Sequence, residues 1–142
     1  MTNSLLLPCT FILDTENEAE AHRLLDEVLS PVGLKRSNSH WQLYPKLGRH
    51  SRLITTLAAP APTSDADVPS AFKALCALFV APAHTNTISL TTEQEEDGAW
   101  SCEAIFDART TPLLIPGLLW AHLGLETRGV IQADLRQAQD RP

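Results

Sequence analysis

The sequence has no uninterrupted apolar run long enough to cross a bilayer, which takes about 20 residues in a helix. Its longest greasy stretch, Leu113 to Leu125, is broken by Pro116, Gly117, His122 and Gly124. Leu5-Leu6-Leu7 near the start is short, has no Lys or Arg ahead of it, and runs into Pro8-Cys9 and then Asp14. An export signal needs a charged beginning and a small residue at its cleavage site, and both are missing. The expectation is a cytoplasmic chain with no membrane partner.

Cysteine is scarce and odd in number, at three. Cys9 and Cys102 fall on the apolar registers of predicted strands, and Cys76 on the apolar side of a predicted helix. Buried thiols in a reducing compartment fit that placement better than a disulfide. Chemical motifs are missing as well. There is no glycine-rich phosphate loop, no Gly-x-Ser-x-Gly elbow, no Cys-x-x-Cys and no His-Glu-x-x-His. These absences leave no nucleotide cradle, hydrolase nucleophile or zinc site to assign. No catalytic residue, metal ligand or cofactor is therefore expected. Cys102 has Glu103 beside it, but neighbours on a strand point to opposite faces, so the thiol reads as core.

One absence is local. From Ser30 to Ser64 there is no acidic residue, while Lys35, Arg36, Lys46, Arg49 and Arg52 supply five positive charges, with His40 and His50 among them. Acids crowd elsewhere: Asp14, Glu16, Glu18, Glu20, Asp26 and Glu27 early, then Glu93, Glu95, Glu96, Asp97, Glu103 and Asp107. The whole chain carries a net charge of −6, which argues against a surface built broadly for nucleic acid.

What is present reads as one domain over residues 1–142, with 137–142 a frayed tail. Leu5, Leu7, Cys9, Phe11 and Leu13 alternate as a strand, and Pro8 suggests an edge or an irregularity there. Thr15 with Glu18 offers a capping box for a helix whose stripe is Ala21, Leu24, Leu25, Val28 and Leu29. Pro31 and Gly33 end it. Ser39 to Leu47, with Trp41, Leu43 and Pro45 on one face, and Arg52 to Ala59 form a hairpin. Asp65 or Asp67 caps a second helix with Pro69 in its first turn and Phe72, Leu75, Cys76 and Phe79 facing inward.

Thr85 to Asp107 is the clearest hairpin. Ile88 and Leu90 alternate on one arm and Trp100, Cys102, Ala104 and Phe106 on the other, about a turn closing on Asp97-Gly98. Pro116 to Leu123 reads as a short helix, on which His122 and Glu126 would share a face until Gly124 interrupts it. Val130 to Leu135 reads as a final strand or a helical turn. The fold class is α+β: an antiparallel sheet of about five strands with two to three helices on one face, in the order β-α-β-β-α-β-β-α. Its first six elements follow the split βαβ pattern.

Three functional expectations follow. The first is a non-catalytic protein-binding domain with the physical character of a bacterial immunity or inhibitor protein. Glu93, Glu95, Glu96 and Asp97, with Trp100 if exposed, would capture a basic partner such as a nuclease toxin. The second is a small-molecule domain or small enzyme with its site in the cleft between sheet and helices. The third is an anion or nucleic-acid binder using Lys46, Arg49 and Arg52 with Trp41 and Tyr44. A dimer through a sheet edge left by the first or last strand is compatible with each.

Overall fold

The computed structural model describes residues 4–44, 50–60, 62, 64–81 and 89–127. Its elements are β1 (Ser4–Leu13), α1 (Glu18–Leu29), β2 (Lys35–Tyr44), β3 (His50–Pro60), α2 (Val68–Cys76), β4 (Ser89–Gln94), β5 (Trp100–Asp107) and β6 (Leu118–Glu126). The six strands form one antiparallel sheet in the order β2-β3-β1-β6-β5-β4. The α+β class holds, with six strands and two α-helices among the described residues. The parts of the expected hairpins and tail at Ile88, Pro45 to Arg49, Val130 to Leu135 and residues 137–142 lie outside those residues.

Strand β1 alternates as its sequence demands, with Leu5, Leu7, Cys9, Phe11 and Leu13 buried on the inner face. It is an interior strand, not an edge; the edges are β2 and β4. Pro8 still marks an irregularity, because the ladder to β6 runs only from Cys9–Leu123 to Leu13–Leu118. Gly124 stands across from it. A Cβ on Gly124 would lie 3.5 Å from the Pro8 carbonyl oxygen and 3.9 Å from its ring, ordinary van der Waals contact, so the two residues pack closely without a clash.

The N-cap of α1 is Asn17 and not Thr15. The Asn17 side chain accepts from the Glu20 amide at 3.0 Å, while Thr15 Oγ1 accepts from the Asn17 amide at 3.2 Å. Thr15 therefore shapes the approach one turn earlier. Ala21, Leu24, Leu25 and Leu29 are the buried stripe, and a 3-10 turn at Ser30–Val32 leads to Gly33 at φ 80°. Asp67 occupies the N-cap position of α2 without a side-chain hydrogen bond, and Pro69 sits in its first turn.

The first half is a split βαβ unit: β3 lies between β1 and β2 and is antiparallel to both. A second such unit would place the strand after α2 next to β1. Instead α2 leads to the outermost strand β4, and β6 takes the place beside β1. The expected helix over 116–123 is this strand. Leu118, Ala121, Leu123 and Leu125 are its buried residues. A register shift opposite Ile12–Leu13 makes Leu119 an extra residue, so the buried positions begin three apart and only then alternate. That opening mimics helical spacing.

Both helices pack on the inner face. Phe11, Phe72, Phe79 and Phe106 are fully buried there, and the Phe79 ring lies 5.9 Å from Phe11 and 5.5 Å from Phe106. Phe79, in the 3-10 turn after α2, thus joins β1 to β5 across the sheet's centre. Truncating it opens a cavity that the two flanking rings, Phe11 and Phe106, cannot fill. Phe79→Ala should cost about 3–5 kcal/mol, read as a lower urea midpoint with an unchanged slope.

Candidate functional site

The other face of the sheet has no described helix on it. Register assigns it row by row. At the turn end, Glu93 on β4 and Glu126 on β6 flank Ser101 on β5. The next row carries Thr91 and Glu103, followed by Gly124 and then Pro8. The middle row runs Ser89, Ile105, His122, Thr10, Ile54 and His40. Beyond it come Asp107, Trp120, Ile12, Arg52 and Gln42, and finally His50 beside Tyr44.

The turn end of this face is acidic. Glu93, Glu95, Glu96, Asp97, Glu103 and Glu126 are all exposed. The turn itself is well built. Glu95 donates its amide to the Ala99 carbonyl at 2.7 Å, Gly98 donates to the Glu95 carbonyl at 3.0 Å, and Gly98 takes the φ of 88° that closes it. Asp97 accepts from the Ala99 amide at 3.0 Å, so its carboxylate serves the turn. Trp100 points inward, half-buried against the core, with its Nε1 buried and unpaired. It is not an exposed anchor.

At the opposite end a hollow of about 610 Å³ opens on the outer face. Thr10 and Ile12 of β1, Tyr44 of β2, His50 and Arg52 of β3, and Leu119 and Trp120 of β6 line it, with Asp107, Ala108 and Arg109 closing one side. Ile12 is only 6% exposed although no described helix lies over it. The bulge at Leu119 adds that side chain to the lining beside Trp120, and the Leu119 carbonyl accepts from the Ala108 amide at 3.0 Å. The small-molecule cleft expected between sheet and helices is instead occupied by the buried phenylalanines, and the hollow lies on the other side.

Of the expected anion-binding residues, Lys46 and Arg49 lie outside the described residues and Arg52 lines the hollow. The Arg52 guanidinium sits 5.5 Å above the Tyr44 ring centroid. With the Gln42 amide turned so that its oxygen faces β3, Gln42 accepts from Arg52. Arg109 is tied to Asp107 at 2.7 Å, and the hydrogen bonds it donates hold the Asp107 carboxyl below its ordinary range. His50 Nδ1 lies 3.2 Å from an Asp14 carboxylate oxygen, out of line for a hydrogen bond. Trp41, the proposed stacking residue, is half-buried on the inner face and donates to Ser51 Oγ at 2.9 Å. It is not available to a base.

The basic and acidic segments also meet at Arg36. A bulge at Asn38–Ser39, with Asn38 at φ 54°, turns Arg36 toward the helix side of the sheet. There its guanidinium donates to both oxygens of Asp26 on α1, at 2.8 and 2.9 Å. Arg36 also contacts His22 Nδ1 at 3.0 Å and donates to Ser39 Oγ at 3.2 Å. These donations hold the Asp26 carboxyl below its usual range. Otherwise the acidic turn and the basic hairpin stand at opposite edges of the sheet.

His122 does not face Glu126 across a helical turn. Its Nε2 lies 2.6 Å from Glu103 Oε1 on the neighbouring strand, and its ring stacks on Trp120 at 6.4 Å. The cysteines are free and buried. Burial pushes Cys9 and Cys76 up to about 12 and raises Cys102 too, favouring the thiol form of each. Among the described residues no cluster of three or more His, Cys, Asp or Glu side chains is placed to hold a metal ion, and no helix is long and apolar enough to cross a membrane.

Glu126, Trp120 and the His122–Glu103 pair were not legible in the sequence, because each depends on β6 being a strand. Reading Ala121, Leu123 and Leu125 as alternating would have found all three. No protein-family model, curated protein or solved structure matches the chain.

The Arg36–Asp26 pair gives stability a pH dependence of known sign. Asp26 has a folded pKa below its unfolded value of about 3.9, so its contribution is present above that value and lost as pH falls through the folded one. Asp26 is half-exposed, so screening holds the contribution to about 1 kcal/mol or less. In denaturant titrations, wild type should exceed Asp26→Asn most above about pH 5, with the gap closing below about pH 4.

Proposed function

We propose that this is a non-catalytic binding domain of the immunity or inhibitor kind, capturing a basic protein through the acidic end of the sheet face opposite the described helices. The observation that carries the reading is convergence. Glu93, Glu95 and Glu96 come from one hairpin, and strand register adds Glu126 from a distant part of the chain two strands away. Among the described residues, Glu93, Glu95, Glu96 and Glu126 make no ion pair, and all four are exposed.

Unpaired exposed carboxylates of one sign attract a cationic partner over a Debye length and orient it before contact. A tight turn fixed by backbone hydrogen bonds presents them with little ordering cost on binding. Trp100 supports this surface from beneath, packing the base of the hairpin. The basic segment is a poorer candidate for contact with nucleic acid. Arg36 is committed to Asp26 and Trp41 to Ser51, which leaves Arg52 with Tyr44 as one cation–aromatic pair among the described residues of that segment, short of the run of them that single strands require.

The test is affinity capture from the native host, with wild type and the Glu93→Lys, Glu95→Lys, Glu96→Lys variant as parallel baits, followed by titration of the retained protein across a salt series. Wild type should retain a strongly basic protein. The variant's affinity should fall about a hundredfold or more at low salt, and the difference should shrink as salt rises. Equal affinity of the two baits, or a retained partner without a basic surface, would end this reading.

A further inference from the structure

We infer that the hollow at the other end of the sheet binds a small, flat organic monoanion: an aromatic carboxylate with its ring over Ile12 and its carboxylate on Arg52. Three observations lead there. The floor is apolar, with Ile12 and Leu119 in the lining on a face without a described helix. The two aromatic side chains lie apart. Tyr44 is on β2 and Trp120 on β6, three interstrand steps away. At about 4.8 Å per step that is about 14 Å, wide enough for a fused two-ring body between them.

The third observation is charge. Arg109 is matched by Asp107 at 2.7 Å, and His50 has Asp14 beside it at 3.2 Å. Arg52 has only a neutral amide and a ring as partners among the described residues. One guanidinium without a carboxylate partner, set against an apolar floor, suits one carboxylate. The planar fork of the guanidinium can donate two parallel hydrogen bonds to it. A phosphate dianion would need a second free cation, and the rim arginine is already neutralised. A neutral aromatic would gain the floor and forgo the fork.

The experiment titrates the ¹⁵N-labelled full chain with 2-naphthoate and, separately, with the isosteric neutral 2-naphthamide, following backbone amides and the Trp120 indole N–H by NMR. Naphthoate should shift Ile12, Arg52 and Trp120 signals saturably and bind roughly tenfold more tightly than the amide. Arg52→Gln should abolish that preference while the signals of the acidic turn stay in place. Equal affinities for acid and amide, shifts centred elsewhere, no saturable shift at millimolar ligand, or a preference that survives in Arg52→Gln would each overturn the assignment. Should Arg52→Gln fail to fold, the acid–amide comparison on the unaltered chain decides alone. The outcome is independent of the acidic end, which lies at the far end of the strands.

Discussion

The antiparallel seam between β1 and β6 is the contact on which the rest of the molecule depends. It joins a β2-β3-β1 half bearing α1 to a β6-β5-β4 half bearing α2, and it is short, running from Cys9–Leu123 to Leu13–Leu118. On its inner side Phe11 carries the seam into the aromatic cluster through Phe79. On its outer side Ile12 and Trp120, directly paired, make the floor and one wall of the hollow. Stability and surface are therefore set by the same five residues of β1. A change that alters the register at Leu119 would disturb both.

The sheet also separates two kinds of surface. Helices occupy one face, and the aromatic core beneath them leaves little room for chemistry. The outer face is graded along the strands, with carboxylates at the turn end and a guanidinium between aromatic side chains at the other. Distance along the strand keeps the two apart, so the positive hollow does not neutralise the acidic end. Arg36 and Asp26 meet instead on the helix side, where a bulge delivers the arginine.

What could be read from the residues follows from how regular each stretch is. The β1 alternation, the α1 stripe and the hairpin turn at Asp97-Gly98 each obey one period, and each was legible to within a few residues. The last strand was not. Leu118, Ala121 and Leu125 are spaced as on a helix because the Leu119 bulge resets the phase, and Leu and Ala favour helix intrinsically. Only the need of both β1 and β5 for a partner overrides that preference. The acidic turn was legible because its residues are adjacent in the chain. Arg52 was named as a cation but not as part of a hollow, since Ile12, Tyr44 and Trp120 come from three other strands.

The bulge at Asn38–Ser39 has a consequence for neighbouring molecules. An outermost strand with a straight backbone is an open template, ready to accept a strand from another chain. In β2 the template is interrupted midway: a left-handed residue kinks it, and Ser39 Oγ is drawn to Thr55 at 2.8 Å. On the far rim, β4 is six residues long, with Glu93 near its end and Glu95 and Glu96 just beyond it, and these repel their own kind. Each rim thus discourages ribbon-like growth by its own device, one through geometry and the other through charge, so neither edge invites a copy of the chain to extend the sheet.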